Sequence, residues 1–287
     1  MKTIRIFFAI AIFALAFLTL FSCKNKNAGK STRIEYDSVT VKKQIPLLEK
    51  NDTTLPYSDV EIRFTYPKAF KNAEALARLQ QIFVGTFFSD RKYDALSPKE
   101  ATDKYLENYT AEYKELSNDY YADKQNIKGS EVPQWYWYQL NIKNTIQFQN
   151  DSLLSYAVEY SDYTGGAHGS FRVTYVNVDL NDLVTLSEED LFIPNYKKQL
   201  TDALLSELTE KYNVTSPDSL VQQGFFTIED IAPNNNFWMN KEGIHYAFNQ
   251  YEVAPYAMGV IEVTIPYSKL KDILKPNGVI SRYFGKE

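Results

Sequence analysis

Cysteine is almost absent: Cys23 is the only one in 287 residues. No disulfide can form within the chain, so the fold must rest on core burial. Histidine is nearly as scarce, with only His168 and His245. Two histidines far apart in sequence make a poor zinc set. There is no His-Glu-x-x-His, and no glycine loop followed by Lys-Ser/Thr for phosphate. There is also no Gly-x-Ser-x-Gly elbow. The sequence therefore assigns no catalytic residue, no metal ligand and no cofactor. Basic runs are missing and the net charge is −5, which argues against nucleic acid as a partner. An acidic body suits a cationic partner instead.

Long apolar runs are also missing, except at the start. Lys2 and Arg5 precede Ile6 to Phe21, where Thr19 is the single polar residue. A basic start and an apolar run of this length read as a secretory signal. The run is slightly short for a membrane span, which needs about 20 residues. It ends in Leu20-Phe21-Ser22-Cys23, which resembles a bacterial lipobox. Lipidation of Cys23 would explain the lone thiol and would make it the mature N-terminus, with residues 1–22 removed. Two or more acyl chains hold a protein stably at a membrane. The competing reading is an uncleaved anchor with an incidental cysteine. Residues 23–54 read as a polar tether, ending in a first strand near Ile34 to Val41. No acidic cluster follows Cys23 (Lys24-Asn25-Lys26-Asn27), which favours a periplasm-facing leaflet.

The composition of the whole chain is that of an ordinary globular protein: 44% hydrophobic and 23% charged. Tyrosine and phenylalanine are abundant, at 22 and 18. Aromatics at this density serve either half-buried strands or binding anchors; packing is the default.

Periodicity gives the elements. Val60 to Tyr66 alternates as a half-buried strand, and Pro67 is expected to end it. Asn72 is placed to cap a helix carrying Leu76, Leu79, Ile82 and Phe83. Ser97 and Pro98 open a second helix to Leu116. Tyr136, Tyr138, Leu140, Ile142, Ile146 and Phe148 share one parity and predict a long strand. Leu154 to Tyr160 returns, and Val173 to Leu180 makes a third strand, so the three predict an antiparallel meander. A short helical turn follows Ser187, then a helix from Asn195 to Lys211 and a short one from Pro217 to Gln223. Residues 236–240 and 244–248 predict a hairpin, Val260 to Pro266 a strand, and Ser268 a cap for a last helix from Lys269 to Leu274.

Two segments stand out. In Tyr163-Thr164-Gly165-Gly166-Ala167-His168-Gly169, three glycines fall within five positions, the mark of a backbone that side chains would obstruct. Glu252 to Gly259 links the hairpin to the last strand through Pro255, Tyr256 and Gly259. With Asn177-Val178-Asp179-Leu180, Gly243-Ile244-His245-Tyr246 and Ile265-Pro266-Tyr267, these segments resemble a known family over about residues 55 to 275. It is the extracytoplasmic domain pair of unknown function shared by the lysozyme-sensing anti-sigma factor RsiV and the peptidoglycan deacetylase PdaC. The resemblance implies an α+β fold. A small N-terminal α+β domain with an antiparallel meander (55–169) would pack on a C-terminal α/β domain of mixed sheet and helices (170–287), with a continuous sheet region between them. Neither a cytoplasmic anti-sigma segment nor a deacetylase domain is seen here, so only the shared ectodomain is expected.

The leading functional expectation is a lipid-anchored, non-catalytic envelope protein that binds a macromolecular ligand. A basic protein such as lysozyme, or cell-wall glycan (peptidoglycan), is the preferred partner. Tyr163, Thr164, Gly165, Gly166, His168, Gly169 and Tyr256 are its candidate site, or else a purely structural turn. One alternative is an envelope hydrolase or metal-dependent enzyme centred on His168, paired with Asp162 or Glu159. Another is a scaffold for a second envelope protein. For His245 and for Trp135, Trp137 and Trp238, a packing role is expected.

Overall fold

The computed structural model describes residues 33–49, 54–127 and 133–284. The expected export signal, Cys23 and the first part of the expected tether lie outside them. No helix among the described residues is long and apolar enough to cross a membrane.

The first sheet contains β1 (Glu35–Pro46), β2 (Tyr57–Ala69), β3 (Tyr138–Gln149), β4 (Leu153–Tyr163), β5 (Ser170–Asp179) and β6 (Val184–Thr185), in that spatial order. The expected meander is β3-β4-β5, paired antiparallel. β1 runs five residues beyond the Val41 limit read from the sequence, and Ile45 at its far end is 1% exposed. Pro67 does not end β2: it sits within the strand opposite Tyr36 of β1. Tyr136 belongs to a 3-10 turn, Gln134–Tyr136, rather than to the strand. Parallel pairing occurs between β2 and β3, and the long crossover this needs is filled by α1 (Ala73–Phe88), α2 (Pro98–Glu115) and α3 (Ser117–Asn126).

Strand parity sorts the two faces of this sheet. Val60, Ile62 and Phe64, with Leu140, Ile142 and Tyr156, are buried against Leu79, Phe83 and Phe87 of α1. Phe64 stacks on Phe87 and Phe83 on Tyr156, each pair 4.3 Å between ring centroids. α1 starts where the Asn72 side chain accepts from the Ala75 N–H. α2 starts at a Ser97–Glu100 capping box with Pro98 in its first turn. α3 was not expected. It buries only Tyr120 and has no apolar stripe; the edge-to-face contact of Tyr120 with Tyr136, 5.5 Å apart, ties it down.

The second part holds α4 (Glu188–Leu191), α5 (Lys197–Lys211), a 3-10 turn at Pro217–Gln223, β7 (Phe237–Met239), β8 (Gly243–Phe248), β9 (Ile261–Pro266) and α6 (Val279–Phe284). β7, β8 and β9 form a three-stranded sheet, antiparallel throughout. Leu200, Leu204 and Leu208 of α5 share a core with Ile244, Tyr246, Phe248, Val263 and Ile265. The last helix is displaced from the expected 269–274: only Tyr267–Lys269 makes a 3-10 turn there, and the regular helix is α6.

The first sheet is continuous across the boundary expected at residues 169/170, since β4 pairs with β5, but among the described residues it does not run on into β7, β8 and β9. β6 covers β5 only at Val178 and Asp179. Further back along that edge, side-chain amides take the place of a strand. The N–H groups of Phe171, Val173 and Tyr175 donate to the side chains of Gln250, Asn249 and Asn236 at 2.8–3.0 Å. Asn177 returns the contact by donating to the Phe237 carbonyl at 2.7 Å. Alternate residues of an antiparallel edge strand point their peptide groups outward, and these are the ones satisfied.

Candidate functional site: a groove beside the glycine turn

The glycine motif joins β4 to β5. Gly165 has φ +81°, and a Cβ there would stand 1.9 Å from the carbonyl oxygen of Trp135. At Gly169 a Cβ would meet the Asp162 carbonyl oxygen at 2.7 Å. At Gly166 the nearest atom is 3.9 Å away, so that glycine is not demanded by its surroundings. Thr164, Gly166, Ala167 and His168 are exposed.

His168 is held on three sides. Its ring stacks on Tyr256 at 4.0 Å and 23°. Nδ1 lies 2.9 Å from the Gly169 carbonyl and Nε2 lies 3.2 Å from the Tyr251 hydroxyl. A carbonyl only accepts, so Nδ1 donates to Gly169, and Nε2 and the Tyr251 hydroxyl share the second bond. The carboxylates considered as its partners are engaged elsewhere. Asp162 accepts from the Ser170 hydroxyl and from Tyr160, and Glu159 pairs with Lys143 at 3.0 Å. Tyr251 stands 57% exposed in the left-handed region, at φ 67°, a conformation that is uncommon outside glycine and asparagine.

The stacked Tyr256 borders an open groove of about 860 Å³ on the sheet face that carries no helix. Lys42, Glu61, Asn141 and Ser161, adjacent across four strands, form its floor. Tyr163, Gly169, Phe171 and Tyr256 form its end. Glu61 is shared between Lys42 at 3.1 Å and Arg63 at 3.2 Å. Exposed pairs of this kind are worth little, so their carboxylate and ammonium groups are available to a ligand. Of the residues singled out from sequence, Tyr163, Gly169 and Tyr256 line the groove, and His168 backs Tyr256. Thr164, Gly165 and Gly166 shape the turn without lining it. The floor residues were missed. Their one sequence signal is that they occupy the polar parity of their strands, which reads as ordinary solvent-facing surface.

His245 sits elsewhere, on the outer face of the second sheet. It stacks on Trp238 at 3.9 Å and 10°, and its Nδ1 is 2.8 Å from the Thr264 hydroxyl. Burial holds its pKa below the ordinary histidine value, against the opposing charges of Glu242 and Glu262. This is the packing role expected of it. Trp135, by contrast, is 46% exposed.

A six-stranded sheet with helices on one face, an amide-bridged second sheet and a glycine turn over an open groove define an α+β architecture. Comparison with known proteins supplies the family. Residues 58–171 match the family described as deacetylase PdaC, and residues 189–268 match the protein of unknown function DUF3298. The chain belongs to the DUF3298 family. A crystal structure of a DUF3298 member from Bacteroides fragilis NCTC 9343 is 33% identical, has a TM-score of 0.79, and aligns over 86% of this chain and 95% of that one. A DUF3298 protein from Pseudomonas aeruginosa PAO1 shares the fold, at 15% identity and a TM-score of 0.58, over 85% of this chain and 96% of its own. Two curated proteins of Bacillus subtilis (strain 168) are similar over 190 residues. They are the peptidoglycan-N-acetylmuramic acid deacetylase PdaC, 25% identical over 66% of this chain, and the anti-sigma-V factor RsiV, 24% identical over 62%. The matched regions span 37% and 61% of those two proteins.

Proposed function

We propose that this chain is an envelope protein, lipid-anchored through Cys23 on a periplasm-facing leaflet, that binds a macromolecular ligand without transforming it. The preferred ligand is a basic protein such as lysozyme, or the glycan of the cell wall. The observation that carries this reading is the open groove, with aromatic side chains at one end and carboxylates, amides and ammonium groups along its floor. Aromatic anchors beside satisfied polar groups are the composition of binding surfaces. The His168 geometry adds support, since both ring nitrogens already have partners. The names of the Bacillus relatives, a peptidoglycan deacetylase and an anti-sigma factor, point to the same setting.

The test is retention on immobilised lysozyme and on insoluble peptidoglycan, at low and at moderate salt. Binding to one of them is expected, weakened at least about tenfold by Tyr256→Ala, the loss typical of an interface anchor. No binding to either at micromolar protein would remove both ligands. The anchor is tested separately by palmitate labelling, which should disappear in Cys23→Ser.

A further inference from the structure

The helix-covered side of the first sheet has an opening of its own. A cavity of about 160 Å³ lies between the C-terminal end of α1, Tyr105 of α2, and strands β3 to β5. Ser89, Tyr105, Tyr160, Arg172 and Thr174 are among its lining residues. Arg172 and Tyr160 face one another across β4 and β5, and the guanidinium carbon lies 4.0 Å from the Tyr160 ring centroid. Among the described residues this guanidinium has that ring contact but no ion pair or hydrogen bond. The Tyr105 ring is fixed by Phe88 at 5.1 Å and Tyr93 at 5.9 Å. Its hydroxyl has no hydrogen-bond partner among the described residues either.

An aromatic ring orients this arginine, and the nearby Asp162 carboxylate is taken up by the Tyr160 and Ser170 hydroxyls rather than ion-paired with it, so the planar fork of donors is free. That fork matches a carboxylate or a phosphate. Tyr105 and Thr174 hydroxyls at the same cavity add neutral donors. We propose that this cavity binds the oxyanion end of a small ligand, a carboxylate or a phosphoryl group, with Arg172 as the cationic fork. The site lies on the face opposite the groove, because Arg172 and Tyr160 have the other strand parity from Ser161 and Phe171. It therefore stands or falls independently of the proposed function.

The test titrates the folded protein with sodium acetate and, separately, with inorganic phosphate, keeping ionic strength constant with chloride. The readouts are the thermal midpoint and backbone amide shifts. A saturating response is expected, confined to β4, β5 and the end of α1. It should be lost in Arg172→Gln, weakened in Tyr105→Phe, and unchanged in Tyr256→Ala. Saturation by acetate alone assigns a carboxylate, and by phosphate alone a phosphoryl group. If Arg172→Gln does not fold, Arg172→Lys decides, since it keeps the charge and loses the fork. A half-saturating concentration raised by about threefold or more supports the site, and an unchanged one overturns it. No saturable response to either anion, or an Arg172→Gln response equal to that of the native chain, also overturns it.

Discussion

Asn249 binds Val173 as a neighbouring strand would. Its side-chain carbonyl accepts from the Val173 N–H at 2.8 Å, and its amide donates to the Val173 carbonyl at 3.1 Å. Asn236 adds a second donor to that carbonyl at 3.0 Å and accepts from Tyr175. The same device occurs between Asn144 and Thr65, at 2.8 and 2.7 Å, beyond the last parallel pair of β2 and β3.

Asn249→Ala should therefore cost more than one exposed hydrogen bond. Val173 is buried, and losing the amide leaves its N–H unpaired. A loss of about 2 kcal/mol is expected, read from urea denaturation. Asn236→Ala combined with it should cost more than the sum of the two, because either amide alone still serves the Val173 carbonyl and the double variant leaves it with neither.

The glycine turn makes a paired prediction. Gly165→Ala forces a methyl into the Trp135 carbonyl at a positive φ and should destabilise by about 2–3 kcal/mol. Gly166→Ala meets open space and should change stability by no more than about 0.5 kcal/mol. Equal losses at the two positions would contradict the contact with Trp135.

Two buried carboxylates should act on the pH profile with opposite signs. Burial alone would raise Asp179. The Tyr283 hydroxyl, the N–H groups of Asn181 and Asp182, and Arg282 outweigh it and hold the group below its ordinary value. Its stabilisation is present above the unfolded carboxyl value of about 3.9 and is lost as pH falls through the folded one. Asp179→Asn should lower the urea midpoint at pH 7 and flatten its acid-side fall. Glu188 is raised by burial, against the Asn235 N–H and the Tyr196 hydroxyl. Its contribution is complete below an unfolded value of about 4.3 and declines as pH rises through the folded one. Glu188→Gln should gain on the native chain as pH rises above that unfolded value.

Much of this fold was legible in the sequence because its signals are local. Parity marked the meander, and Asn72, Ser97 and Pro98 marked the starts of α1 and α2. What stayed illegible depends on distant partners. Asn236 and Asn249 read as loop residues, since nothing nearby says that their amides meet β5. Pro67 reads as a strand end, but in β2 it is accommodated opposite Tyr36. α3 holds through one tyrosine. At the candidate site, Tyr163, Gly169, His168 and Tyr256 were marked by unusual local chemistry. Lys42, Glu61, Asn141 and Ser161 were not, because their adjacency exists only once four strands are in register.

The parallel seam between β2 and β3 governs the order of assembly. β3, β4 and β5 are joined by links of three and six residues, 150–152 and 164–169, whereas β2 and β3 are separated by residues 70–137. Short closures lose little chain entropy and form early, and non-local pairings set the rate. In pulse-labelled refolding, amides of β3 to β5 should gain protection first, and those of β2 later, together with α1. Two hairpin-built halves would then be zipped along a single slow line, and mutations at that line would alter how fast the molecule matures more than mutations within either half.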